Sequence, residues 1–325
     1  MTAMDQVWSS YKETLDEVEE QIRKDLDSEV DLINKVARYI LNSGGKRIRP
    51  LLLIISSQLC DYKEKSHIAL GGVIEFIHTA TLLHDDVIDN AEVRRGIPPA
   101  RALWGNQASI LIGDYLYTLA VCQAVKMDNF EINYLLSTTC RRMSEGETLQ
   151  LAHNGDFDLT EAIYLQIIEY KTASLLAASC RLGGIIGNVP EEKKEALARF
   201  GRNLGIAFQV ADDTLDYVAD RRRLGKSLGK DLREGKITLP LLHLLQNSPK
   251  KEKARLKKIV SGDKFLQKDL AYVISLMEER GSIRYALERA QEYANRAKKD
   301  LSVFNDSLHR QSLYTVADYV VRRDH

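Results

Sequence analysis

Proline and glycine are scarce in this chain, 6 and 19 among 325 residues, and no Pro/Gly/Ser-rich stretch divides it. No linker is therefore expected, and residues 1–325 read as one domain with a sizeable core. The four cysteines, Cys60, Cys122, Cys140 and Cys180, form no Cys-x-x-Cys pair. Each lies in an apolar helical context, so buried free thiols in a reducing cytosol are expected. Neither charge sign is in excess, with 46 acidic and 46 basic residues. A general polyanion-binding surface is not indicated, so no nucleic-acid partner is expected and any basic patch must be local. The N-terminus lacks the basic and apolar regions of a signal peptide. No apolar run approaches the roughly eighteen residues of a membrane span, Leu51–Cys60 being far too short. No stable membrane insertion and a cytoplasmic location are therefore expected.

Alternating apolar runs are also missing. Apolar residues recur instead at three- and four-residue intervals, which predicts an all-α chain. Helices are expected over about 4–26, 28–42, 65–89, 99–127, 129–153, 160–187 and 191–217, with more after Pro240. Asp27, Ser28 and Glu29 supply capping chemistry between the first two.

The chemistry concentrates at Thr81-Leu82-Leu83-His84-Asp85-Asp86-Val87-Ile88-Asp89. Its carboxylates lie at i, i+1 and i+4, and on a helix Asp85 and Asp89 share a face one turn apart. Like charges so placed repel, and apolar neighbours raise the cost, so a cation is expected between them. Oxygen ligands from one or two carboxylates suit Mg²⁺ that also holds substrate phosphates. Arg94 and Arg95, just downstream, carry the guanidinium fork that matches phosphate oxygens. The same spacing returns at Asp212-Asp213-Thr214-Leu215-Asp216. If the two helices face each other, six carboxylates line one cavity.

Gly44-Gly45-Lys46-Arg47-Ile48-Arg49-Pro50 reads either as an anion cradle at a helix start or as a helix end followed by solvated cations. Arg221–Lys236 holds seven cations and three glycines in sixteen residues. A lid over bound diphosphate or a solvated loop would both account for it.

Taken together, the paired Asp-rich motifs, the Gly-Gly-Lys-Arg-Ile-Arg-Pro segment, Gly235-Lys236 and the wording Ile77-His78-Thr79-Ala80-Thr81-Leu82-Leu83-His84-Asp85-Asp86 resemble the trans-polyprenyl diphosphate synthase family. Its long-chain, octaprenyl-type members are the most similar. The resemblance runs from about residue 30 to the C-terminus. It implies the isoprenoid synthase fold, a bundle of about ten or more helices around a deep central cavity. It also implies Mg²⁺ held by Asp85, Asp86, Asp89, Asp212 and Asp216, and a homodimer. Lys46, Arg49, His78 and Arg95 would hold isopentenyl diphosphate. Arg94, Lys171, Thr172, Gln209, Lys226 and Lys236 would hold the allylic diphosphate. Glu147 and Gln150 are further candidates for the cavity wall, and Asp114 for a supporting role.

The reaction so implied is head-to-tail condensation of isopentenyl diphosphate with an allylic prenyl diphosphate. Asp85, Asp89, Lys171 and Asp212 would act on the leaving diphosphate. The resemblance further suggests a product serving as a quinone side chain and passing to a membrane. Short-chain members carry bulky aromatics one turn below the first Asp-rich motif; here that level holds Ala80 and Thr81. Since each buried methylene adds about 0.8 kcal/mol, affinity sets no stopping point, and a product of about C40 is expected. A shorter-chain synthase making farnesyl or geranylgeranyl diphosphate is the alternative. A class I terpene cyclase is disfavoured because its second metal motif mixes Asn, Ser/Thr and Glu.

Overall fold

A computed structural model describes residues 2–94, 96–218, 229–261 and 266–322. Its described residues are mostly helical, with one isolated bridge between Arg94 and Ile97 and no strand among them. Ala3–Ser10 (α1), Lys12–Asp25 (α2), Asp31–Asn42 (α3), Ile48–Leu59 (α4) and Ser66–Ile88 (α5) come first. Ala100–Val125 (α6), Phe130–Ala152 (α7), Glu161–Ile168 (α8), Ser174–Ile186 (α9) and Glu191–Val218 (α10) follow. Helices Lys230–Arg233, Leu239–Asn247, Lys250–Val260, Gln267–Glu279, Ser282–Asp300 and Leu308–Val321 complete the chain.

Two compact units are present. One comprises Met1–Arg141, Leu175–Gly201 and Asp300–Val316; the other comprises Arg142–Ser174, Arg202–Lys299 and Ala317–His325. Every boundary between them falls inside a helix rather than in a loop.

In the first unit, α1 opens on a capping box in which Thr2 Oγ1 accepts from the Asp5 amide and Asp5 accepts from the Thr2 amide. The single helix expected over 4–26 is broken at Tyr11. That side chain is buried, and its hydroxyl lies 2.8 Å from His309 Nδ1. The capping expected from 27–29 takes another form, because the cap of α3 is Val30. Ser28 instead accepts from the Val30 amide and exchanges bonds with the Asn34 side chain.

Helix α5 is the axis of this unit and packs on α2, α4 and α6. Leu70, Ile74 and Phe76 are fully buried, each stabilising the fold by about 1.5–3 kcal/mol. Gly71 allows α2 to approach closely: a Cβ there would lie 3.0 Å from the Val18 side chain. Among the described residues α5 and α6 are long and apolar enough to cross a membrane. Most of α5 is buried inside its unit, but α6 is far less covered. Leu103, Ile110, Leu111, Val121 and Val125 are exposed along it, and the stacked rings of Phe130 and Tyr134 on α7 are exposed as well. Cys122 lies on this open face, so only three of the four thiols are buried as expected.

In the second unit, Leu239–Asn247 is buried along most of its length, with Pro240 in its first turn, and packs on α8 and Gln267–Glu279. Between α8 and α9 the chain makes a π-helical turn over Glu169–Ala173. Such turns are uncommon and recur at functional sites.

Candidate active site

The first unit carries two groups of candidate residues. Lys46 and Arg49 flank the start of α4, where Gly44 and Arg47 both take left-handed backbone, φ 83° and 43°. Lys46 is exposed and Arg49 half-buried. On α5 and its C-cap, His78, Thr81, Asp85 and Asp89 form a half-buried stripe, starting beyond the buried run Leu70–Ile77. Thr81 donates to the His78 carbonyl at 2.9 Å. Ala80 is not on this stripe; it is 1% exposed.

Asp85 and Asp89 occupy the last turn and the C-cap of α5, joined by an Asp89 amide bond to the Asp85 carbonyl of 2.8 Å. Carboxylates at the negative end of a helix are disfavoured by the macrodipole as well as by each other. That placement calls for a cation. Asp86 points elsewhere: it is fully buried, and Arg94 Nε donates to its Oδ1 at 2.6 Å. Asp86 Oδ2 is buried with no hydrogen-bond partner. Arg94 is thereby fixed in a tight turn closed by paired backbone bonds with Ile97. Arg101, which the sequence did not single out, holds the preceding loop through the Ala91 carbonyl and Asn90 Oδ1. Asp114 lies 3.3 Å from His84 Nε2, which is also 3.1 Å from the Ile110 carbonyl. Gly113 leaves the room for that ring. Arg95 lies outside the described residues.

The second unit holds a cavity of about 130 Å³ lined by residues that include Gln150, Lys171, Thr172, Gln209, Asp213 and Lys236. Pockets that enclose drug-sized ligands measure about 300–1,000 Å³, so this space is small for a long chain. Lys171 and Thr172 enter from the π turn. That turn is gripped between two glycines. A Cβ on Gly146 of α7 would lie 2.6 Å from the Lys171 amide nitrogen, and one on Gly205 of α10 would lie 2.5 Å from Ala173 Cα.

A hydrogen-bonded chain crosses the cavity floor. Thr172 Oγ1 donates to Gln209 Oε1 at 2.9 Å, and Gln209 Nε2 donates to Asp213 Oδ1 at 2.7 Å. The Tyr164 hydroxyl donates to Asp213 Oδ2 at 2.6 Å. Burial pushes the Asp213 carboxyl up to about 7, against the pull of the Tyr164 and Gln209 bonds. Asp231 is raised well above the ordinary carboxylate range, by burial and then by the charges of Asp213 and Asp216. Its amide donates to Asp216 Oδ2 at 3.0 Å. Lys236 pairs with Glu234 at 2.9 Å, and Lys171 pairs with Glu147. Asp212 is exposed and Asp216 half-buried, while Asp213 is buried.

Residues 219–228 lie outside the described residues, and Lys226 and the front of the expected lid fall there. The described remainder is not simply a cationic loop, since it contains the helix Lys230–Arg233 and Asp231. Tyr164 and Asp231 were not legible as site residues: one sits in an apolar helix and the other among cations. Among the described residues no three His, Cys, Asp or Glu side chains close on a common metal point. Such donors still fit Mg²⁺, which takes one or two carboxylates and completes its shell with water and phosphate oxygens.

Comparison with known proteins identifies the family. Residues 30–277 match the polyprenyl synthetase family. The octaprenyl diphosphate synthase of Escherichia coli (strain K12) is 39% identical over 306 residues, 93% of this chain and 94% of that protein. That of Haemophilus influenzae is 35% identical over 326 residues, covering 100% of this chain and 98% of the relative. A crystal structure of polyprenyl synthase from Caulobacter crescentus CB15, complexed with calcium and isoprenyl diphosphate, superposes with a TM-score of 0.95. It is 36% identical, covering 99% of this chain and 98% of that one. A decaprenyl diphosphate synthase from Rhodobacter capsulatus gives 0.94 at 37% identity, over 99% of both chains. With two Asp-rich turns on helix ends and a lysine-bearing cavity beside one of them, the chain belongs to the polyprenyl synthetase family.

Proposed function

We propose that this prenyltransferase condenses isopentenyl diphosphate head-to-tail with an allylic prenyl diphosphate and makes a long-chain, all-trans product of about C40. The carrying observation is the cavity in which Lys171, Thr172, Gln209 and Lys236 converge beside Asp213. It supplies cations and hydrogen-bond donors to an anionic head group. Mg²⁺ bound at Asp85 and Asp89, and at Asp212 and Asp216, would supply Lewis-acid stabilisation of charge on phosphate oxygens.

The chain's own residues perform the rest. Lys171 and Lys236 exchange their present carboxylate partners for diphosphate oxygens and stabilise the charge that grows as the allylic carbon–oxygen bond breaks. Arg94, aimed by Asp86, and Lys226 serve the same diphosphate. Lys46, Arg49, His78 and Arg95 hold isopentenyl diphosphate so that its double bond faces the electron-poor carbon. A new carbon–carbon bond forms, and a proton leaves the former isopentenyl unit to the released diphosphate. Asp86 serves as the anchor of Arg94, because Oδ1 is occupied and the carboxylate is enclosed.

Chain length rests on the small residues below the first Asp-rich motif, with Thr81 on the half-buried stripe. A homodimer through the exposed apolar face of α6 and the Phe130–Tyr134 stack accounts for a surface that is costly in water. Incubation with farnesyl diphosphate, labelled isopentenyl diphosphate and Mg²⁺, followed by sizing of the product, tests the reading. An all-trans product of about C40 supports it. A product of farnesyl or geranylgeranyl length overturns the long-chain assignment, and a cyclised hydrocarbon overturns the condensation itself.

A further inference from the structure

One cation of the Gly44–Pro50 segment has no part in the reading above. Arg47 lies between Lys46 and Arg49, yet its side chain turns inward and is 15% exposed. Its left-handed backbone, φ 43° and ψ 36°, is one that a non-glycine residue seldom adopts. The surroundings hold it there. Arg47 Nε donates to Glu19 of α2, Nη1 donates to Glu75 Oε2 of α5 at 2.6 Å, and Nη2 donates to the Leu41 carbonyl of α3 at 2.7 Å. Glu75 is itself buried, 2% exposed. One guanidinium therefore ties three helices to the first residue before α4.

The place of Glu75 gives this clamp its meaning. It precedes His78 by three residues on α5, one turn away along the same helix. Arg47 adjoins Lys46 and stands two residues before Arg49. The cluster is thus the link between the segment that carries two of the isopentenyl diphosphate residues and the helix that carries the third. A planar five-donor fork can satisfy Glu19, Glu75 and Leu41 at once, which a single ammonium cannot do in that geometry.

We infer that Arg47 is a positioning residue for the isopentenyl diphosphate site: its clamp on Glu19, Glu75 and the Leu41 carbonyl sets the spacing of Lys46 and Arg49 against His78. This rests on the assignment of those three residues to isopentenyl diphosphate. Arg47 touches no substrate; it acts through its neighbours.

The test compares Arg47→Lys, Glu19→Gln and Lys46→Ala by two-substrate kinetics and thermal unfolding. Arg47→Lys keeps the charge and loses the fork. It should raise KM for isopentenyl diphosphate about tenfold or more, with KM for the allylic substrate within about twofold, a split that general loosening of the fold would not give. Glu19→Gln, at the more exposed end of the clamp, should give the same split in weaker form. If Arg47→Lys does not fold, Glu19→Gln decides. Lys46→Ala should raise KM for isopentenyl diphosphate as well, and combining it with Arg47→Lys should add less than the sum. If Lys46→Ala raises that KM but the clamp variants leave it unchanged or move both substrates equally, the inference is overturned. If Lys46→Ala leaves it unchanged, the site assignment itself is wrong, and the inference falls with it.

Discussion

Replacing Gly146 with alanine should damage the protein, although the same change in a helix normally helps. Alanine exceeds glycine in helix propensity by about 1 kcal/mol, so an unhindered helical glycine gains stability on substitution. At Gly146 the new methyl would lie 2.6 Å from the Lys171 amide nitrogen, 2.8 Å from Tyr170 Cβ and 3.0 Å from the Tyr170 carbonyl carbon. Two of these are backbone atoms, and no rotamer change removes them. Ordinary contact begins at 3.4 Å, so the π turn would have to retreat by 0.8 Å. It has little room to do so, because Gly205 already brings α10 against Ala173 on the same turn. Overpacking of this kind costs about 1–3 kcal/mol, which outweighs the propensity gain. A displacement near 1 Å of a positioned group can lower a rate by about a hundredfold. We therefore expect Gly146→Ala to lower Tm by a few degrees and kcat/KM for the allylic substrate by roughly ten- to a hundredfold. Gly72→Ala is the control, since its Cβ would meet only Ile22 Cγ1 at 3.5 Å, and it should leave Tm unchanged or raised. Scanning calorimetry and steady-state kinetics read both. If Gly146→Ala is as stable and as active as the parent, the π turn is not held by α7, and the account of how Lys171 is aimed fails.

Three further outcomes follow from the same geometry. Asp85→Asn or Asp212→Asn should cut turnover about a hundredfold at saturating Mg²⁺, roughly 2.7 kcal/mol of barrier, and a variant with near-full activity would remove that carboxylate from the metal site. Ala80→Phe or Thr81→Phe, one turn below the first Asp-rich motif, should shorten the product to about C15–C20 while the first condensations continue, and an unchanged length on chromatographic sizing would refute the long-chain argument. As pH falls below about 6.5 the unfolded chain binds protons before His67, His243 and His309, which burial holds below the ordinary histidine range. These three contribute a loss of stability that opposes the gain from the raised carboxyls of Asp213 and Asp231. His67→Phe, which removes a buried Nδ1 without a hydrogen-bond partner, should take away its share of that loss, up to about 1.4 kcal/mol per pH unit in denaturant titrations, and an unchanged slope would show that His67 does not carry it.

The helices and the two carboxylate stripes were legible without coordinates because both are local. A helix repeats every 3.6 residues, so apolar spacing reveals where one runs, and residues four apart must share a face. Asp85 with Asp89, and Asp212 with Asp216, follow from that alone. The partners of the residues between them do not. Asp86 faces Arg94 across a tight turn, and Asp213 faces Tyr164 from a helix 49 residues away in sequence. The π turn at Glu169–Ala173 has no signature in propensity; the stretch reads as one continuous helix, and the grip of Gly146 and Gly205 becomes visible only when α7 and α10 lie against it. Arg47 is the same case: beside Lys46 and Arg49 it looks like a third surface cation, and only the convergence of α2, α3 and α5 turns it inward. Local periodicity determines which residues share a face. Packing between segments distant in sequence determines which of them reach the substrate and which hold those residues in place.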